Sequence, residues 1–213
     1  SHCYFFPNWY EAIGGKKATP KSIYFRGLGF PNLDEIVLKV AQEFGDHGMI
    51  VKDFIKSRKH DWYNACYIAC ASDQVEVKMV VINFLEGQGD TLVGGLVFRQ
   101  FIPLKRIGIH SKSKLPLVNE HRFFIFNGKV FYQAPYWSEG DYSGNTPGPE
   151  VIQDIIPKVQ SPFYAADVAE NDAGGWTLIE LNDGGSAGIP EGGSVQEFYR
   201  AVYTAFQESL TNS

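Results

Sequence analysis

At 213 residues, with 44% apolar and 15% aromatic side chains, the chain can bury a core as one domain or as two joined lobes, which excludes a disordered polypeptide. A formal net charge of −5 argues against the broad electropositive face that duplex DNA requires, so any polyanion must be bound locally. No apolar run approaches the roughly 18–20 residues of a membrane-spanning helix, and no basic-then-apolar leader opens the chain; a soluble, cytoplasmic protein without membrane contact is expected.

Residues 1–31 carry aromatics and Pro7, then a turn signal at Thr19-Pro20-Lys21-Ser22 ahead of the extended run Ile23-Tyr24-Phe25. A helix is predicted from Asn32 to Gly45. Asn32 is its cap, Glu35 stands at capping-box spacing, and Ile36, Val37, Val40, Ala41 and Phe44 form its apolar stripe. Met49 to Lys56 reads as a strand, whose period of two sets Lys52 and Lys56 on one face. Locally these are either exposed strand lysines or a pair of cleft cations.

The basic run Ser57-Arg58-Lys59-His60-Asp61 follows. Cys3, Cys66 and Cys70 are odd in number, and Cys66-x-x-x-Cys70 lacks a second ligand pair at zinc spacing, so buried reduced thiols are expected. A second helix is predicted over Asp73 to Glu86, capped by Ser72 and stopped at Gly87-Gln88-Gly89. These glycines lack a Walker lysine and a strand-turn-helix context, so they are not a phosphate loop.

Leu96 to Leu104 is strand-like, with Arg99 directed to a cleft or to solvent. Glu120 to Phe126, Asn127-Gly128 and Lys129 to Tyr132 form the clearest hairpin, because Asn-Gly suits a two-residue type I′ turn. Pairing Phe126 with Lys129 puts Arg122, Phe124 and Phe126 on one face and His121, Phe123 and Ile125 on the other. Ala134 to Gly148, with Trp137 and Tyr142, reads as an aromatic loop, either a binding lid or a packed surface. Ser194 to Leu210 closes the chain as an amphipathic helix with Val195, Phe198, Val202, Phe206 and Leu210 on one side.

The stretch that carries chemistry is Phe163 to Pro190. Phe163 to Ala169 and Trp176 to Asn182 are strand-like, with turn residues Glu170 to Gly175 between them. Alternation sends Glu180 and Asn182 to one face together with Leu178. Pairing Ala165 with Glu180 sets Asp167 opposite Leu178, diagonal to Glu180 at roughly 7–8 Å between α-carbons. Two carboxylates and an amide oxygen suit a hard cation such as Mg²⁺ completed by phosphate oxygens; the alternative is a solvated edge hairpin.

An acid on one strand, then Glu-x-Asn at the end of the next, then the small-residue loop Gly184-Gly185-Ser186-Ala187-Gly188, resembles the metal-binding end of the ATP-grasp superfamily. The lysine strand, Gln100-Phe101-Ile102 as a segment joining two lobes, and Glu120-x-Arg122 in a hairpin stand in the same order as in that family. The resemblance spans roughly residues 17–205. It departs at residues 57–61, which replace the Gly-rich phosphate loop, and a domain that usually comes first in the family has no counterpart here.

The resemblance implies an α+β, ATP-grasp fold in which two α+β lobes, residues 1–101 and 102–213, clamp a nucleotide. It implies Mg²⁺ on Asp167, Glu180 and Asn182, with ATP contacting Lys52, Lys56, Arg99, Gln100, Phe101 and Ile102. Arg122 and Lys56 become the catalytic cations. The implied reaction joins a small-molecule, peptide or protein carboxylate to an amine through an acyl phosphate. Rival readings are an inactive nucleotide-binding or chaperone-like module, a phosphotransferase on the same site, and a carbohydrate-binding module built on the aromatic hairpins.

Overall fold

The computed structural model describes residues 2–15, 18–27, 32–112 and 114–211. In chain order the elements are α1 (Phe6–Ala12), β1 (Ser22–Arg26), α2 (Leu33–Phe44), β2 (Met49–Asp53), α3 (Trp62–Ala65), β3 (Tyr67–Ile68), α4 (Gln74–Gln88) and β4 (Gly95–Gln100), then β5 (Arg106–Ile109), β6 (Pro116–Val118), β7 (Glu120–Phe126), β8 (Lys129–Pro135), β9 (Phe163–Glu170), β10 (Trp176–Asp183) and α5 (Val195–Thr211). This mixture of helices and antiparallel sheets is the α+β class expected from the pattern. Among the described residues no helix is long and apolar enough to cross a membrane. The chain divides into two compact units, one of Gly15–Ile102 with Phe5–Pro7 and one of Pro103–Ser213 with Ser1–Tyr4 and Asn8–Gly14.

In the unit built on Gly15–Ile102, an antiparallel sheet ordered β1-β4-β2-β3 carries helices on one face. Met49, Val51, Ile68, Leu96 and Phe98 pack there with Ile36, Val37, Val40 and Phe44 of α2 and Val77, Val80, Val81 and Phe84 of α4. Asn32 caps α2 as its sequence requires: its Oδ1 accepts from Glu35 N, and its amide donates back to the Glu35 carboxylate. The cap of α4 is Asp73, which accepts from Val75 and Glu76 N–H, and not Ser72, whose hydroxyl donates to Asp46. This helix runs on through Gly87 and stops at Gly89, at φ +47°.

Strand β2 ends at Asp53, three residues short of the run that its alternation suggested. The Asp53 side chain is fully buried. It accepts hydrogen bonds from Ile55 N (2.7 Å), Lys56 N, Gln88 Nε2 (2.8 Å) and Val93 N (3.3 Å). Its own N–H donates to Lys56 O. The carboxylate therefore folds residues 53–57 into a turn, and Lys56 leaves the strand that was to align it with Lys52.

The unit built on Pro103–Ser213 holds a sheet ordered β10-β9-β7-β8 and the separate β5-β6 hairpin. Phe126 pairs with Lys129, and Asn127 and Gly128 take φ of 46° and 78°, as the Asn-Gly turn demands. Phe124 and Ala165 lie on one sheet face under α5, packed with Phe198 and Val202. Phe198 is buried, but Val195, Phe206 and Leu210, placed on the same side from their spacing, are each at least half exposed. The apolar arc of α5 is wider than the strip the sheet can cover.

Replacing Asp53 by Ala would leave four inward donors without an acceptor, at a cost of at least about 3 kcal/mol. A urea-unfolding midpoint for Asp53→Ala close to that of the parent would show that water replaces the carboxylate.

Candidate functional site

Strands β9 and β10 set the site. From Trp176 to Leu178 the register pairs Trp176 with Glu170, Thr177 with Ala169 and Leu178 with Val168; past a bulge at Ile179 it pairs Glu180 with Asp167 and Asn182 with Ala165. Asp167 therefore lies directly opposite Glu180, not diagonal to it, and Leu178 moves to the other face with Val168. The extra residue lets Leu178 and Leu181, three apart, share the buried side. Asp167, Glu180 and Asn182 emerge on the opposite side together.

Two carboxylates directly opposite each other repel, and Arg122 offsets this. It is the cross-strand neighbour of Asp167 on β7. Its Nε donates to Asp167 Oδ1 at 2.6 Å and its Nη2 to Oδ2 at 2.7 Å, a bidentate pair of two buried side chains. Nη1 donates to Gly188 O at 2.9 Å, and the guanidinium lies 4.9 Å from the centre of the Tyr136 ring. Burial opposes the Arg122 charge, but the hydrogen bonds and charge of Asp167 outweigh it and raise its pKa.

The donor set fits a hard cation. Among the described residues no group of three or more His, Cys, Asp or Glu side chains could hold a metal. A cation here would use two carboxylates and an amide oxygen and draw its remaining oxygens from a ligand such as a phosphate chain. Asn182 Nδ2 stands 3.4 Å from Asp167 Oδ2; turning this amide presents its oxygen to the same point. In the loop after β10, Asp183 O accepts from Ser186 and Ala187 N–H, and its carboxylate accepts from Gly185 N–H. This compact turn delivers the Gly188 carbonyl to Arg122.

The remaining site candidates lie in the other unit. Lys52 and Arg99 are both buried and share the sheet face away from the helices, Lys52 opposite Val97 and Arg99 opposite Ile50. Lys52 Nζ donates to Ile55 O at 3.3 Å and sits 5.8 Å from the Phe6 ring centre. Arg99 donates to the Thr19 hydroxyl. Lys56 is exposed in the turn. The Gln100 and Phe101 amides donate to Lys21 O and Gly48 O, and the Phe101 ring packs edge-on to Tyr67 and Trp62.

Tyr136 and the Gly188 carbonyl were not legible as parts of this site. An unbroken hairpin from Phe126–Lys129 puts Arg122 opposite Gln133, whereas a bulge at Phe131 puts it opposite Ala134. Tyr136 then follows on the Arg122 side two residues later. Nothing in the order of residues marks that bulge.

On the opposite face from Arg122, His121 is buried between Tyr142 and Trp176, whose ring centres lie 5.3 and 5.7 Å away. Its Nε2 stands 3.2 Å from Asn119 Oδ1, and its Nδ1 is buried with no hydrogen-bond partner. Asn119 also donates to the buried Glu170 carboxylate. Burial works against the charge on Glu170, but hydrogen bonds from Asn119 and Lys105 hold its carboxyl below the usual range.

Burial pushes the His121 imidazole from 6.5 down to about 4. Between those two values the unfolded chain takes up a proton that the folded chain refuses. Stability therefore falls as pH drops through that window, by on the order of 3 kcal/mol at its foot. His121→Phe should flatten the pH dependence of the unfolding midpoint there; an unchanged slope would assign the titration to another group.

Residues 43–202 match the model of an ATP-grasp domain family, family 3 of its clade. No curated protein sequence matches the chain. Among solved structures the ATP-grasp ligase PsnB, in complex with a phosphomimetic variant of its minimal precursor, Mg and ADP, is similar at TM-score 0.54 and 12% identity, over 95% of this chain and 59% of that one. D-alanyl-alanine synthetase A from Vibrio cholerae O1 biovar eltor str. N16961 is similar at TM-score 0.55 and 15% identity, over 100% and 66% of the two chains. D-alanine-D-alanine ligase from Coxiella burnetii is similar at TM-score 0.55 and 10% identity, over 94% and 53%. The chain thus spans between about half and two thirds of the length of each, and at these identities the likeness is one of fold.

Proposed function

Because the chain belongs to the ATP-grasp superfamily, we propose that it is an ATP- and Mg²⁺-dependent ligase that joins a carboxylate to an amine or a similar nucleophile. The observation that carries this reading is the pairing of Asp167 with Glu180 across β9 and β10, with Asn182 on the same face and Arg122 on Asp167. Residues 1–101 and 102–213 are taken as its two lobes. The acceptor carboxylate belongs to a small molecule, a peptide or a protein.

In this reading a carboxylate oxygen attacks the γ-phosphorus of ATP, and the bond to the β,γ-bridging oxygen breaks to release ADP. The nucleophile then attacks the acyl carbon of the acyl phosphate and expels inorganic phosphate; its proton passes to solvent. When bound, Mg²⁺ neutralises charge on the phosphate oxygens. Asp167, Glu180 and Asn182 hold it. Lys52, with Lys56 in the following turn, neutralises the phosphates, and Arg99 and Gln100 to Ile102 contact the nucleotide. Arg122 fixes the orientation of Asp167 and stabilises charge on the transferred group through donors beyond the three it commits to Asp167 and Gly188. The chemistry rests on positioning and charge neutralisation, and no side-chain nucleophile is needed.

The commitment of both Asp167 oxygens to Arg122 favours a second reading, a nucleotide-binding module without ligase activity. ADP and phosphate release that requires both an added carboxylate and an added amine separates the two. A stable phosphorylated product would instead identify a phosphotransferase.

Nucleotide binding itself is read by melting. ATP and Mg²⁺ together, at about a hundred times the dissociation constant, should add roughly 2.7 kcal/mol to stability, and either one alone should add little, since Mg²⁺ lacks enough protein ligands. Glu180→Ala should abolish the shift. No shift in the parent would remove ATP as the ligand, and a shift that survives Glu180→Ala would move the metal elsewhere.

A further inference from the structure

Helix α5 is apolar on two sides. Phe198 is buried and Val202 packs on the Phe124–Ala165 cluster, with Ala201, Ala205 and Ser209 half-buried beside them. At about 100° per residue, Val195, Tyr199, Tyr203, Phe206 and Leu210 fall within an arc of about 80°, centred about 100° away from that buried side. They are 56%, 64%, 66%, 50% and 60% exposed. Each aromatic ring among them carries roughly 150–250 Å² of surface, so the stripe exceeds the few hundred Å² of contiguous apolar patch usual on a monomer.

We propose that this stripe is the interface between two copies of the chain, with α5 packed antiparallel against its counterpart about a two-fold axis near Tyr203. The stripe is complementary to itself when reversed. Val195 meets Leu210 of the partner subunit, Tyr199 meets Phe206 of the partner subunit, and Tyr203 lies beside the axis. No charged side chain falls within the arc, so a charged peptide finds nothing there to pair with. Gln196 and Gln207 border the arc on one flank, and in the reversed pair each lies near the other's counterpart, so no like charges are brought together.

Glu197 and Glu208 project from the far side of the helix. With 17 residues, α5 is about 25 Å long. Five large side chains along that length, with the flanking surface, approach the roughly 800 Å² per partner of a stable interface. A net charge of −5 per copy opposes association, so added salt should strengthen the dimer.

Sedimentation of the full chain over a wide range of concentration should show a reversible monomer–dimer equilibrium. Tyr199→Glu combined with Phe206→Glu should halve the mass at high concentration and leave the circular dichroism spectrum unchanged. Thr204→Glu, on the same helix outside the arc, should leave the dimer intact. In a Cys70→Ser background, Tyr203→Cys should form a disulfide-linked dimer under mild oxidation, and Glu208→Cys should not. A parent that stays monomeric throughout, a dimer that survives the double substitution, or cross-linking as efficient through Glu208→Cys as through Tyr203→Cys would each overturn the proposal.

Discussion

The ion pair between Arg122 and Asp167 is the constraint on which the carboxylate cluster depends. Asp167 and Glu180 face each other across adjacent strands, an arrangement that would repel in an otherwise neutral sheet. A guanidinium delivered by the next strand, seated on both Asp167 oxygens, turns two opposed anions into a cluster that can remain together. Its other contacts explain why arginine serves here and lysine would not. One planar group bridges a carboxylate and a loop carbonyl while its face rests on Tyr136. Buried pairs of this kind add little net stability when complete, yet losing one partner strands the other at a cost of about 3–5 kcal/mol.

The second requirement is the bulge at Ile179. With a regular ladder, Leu178 and Glu180 would share a face and the apolar surface of β10 would be split. One inserted residue sends Leu178 and Leu181 inward and sets Glu180 opposite Asp167. Packing and site geometry are therefore satisfied by the same irregularity, a common use of bulges beside functional groups.

The other unit uses a buried carboxylate differently. Asp53 has backbone amides and the Gln88 side chain as its donors, so it closes a turn where Asp167 instead holds a cation. That turn decides the fate of the two nearby lysines: Lys52 remains on the sheet and is buried, while Lys56 is carried out to solvent.

Several features were legible from residue order because local chemistry decides them. Asn32 and Glu35 specify the start of α2, Asn127-Gly128 specifies its hairpin and the pairing of Phe126 with Lys129, and alternation places Glu180 and Asn182 side by side. The family, and with it the fold class, could be read from the order of a few short motifs. Tertiary structure alone decided the rest. Whether β10 bulges depends on which leucines the opposing layer can bury, whether β2 stops at Asp53 depends on donors from α4 and the segment before β4, and which side of α5 is covered depends on how wide a strip the sheet offers. Each of these choices is made by groups distant in sequence competing for the same buried space, and local spacing carries no record of that competition.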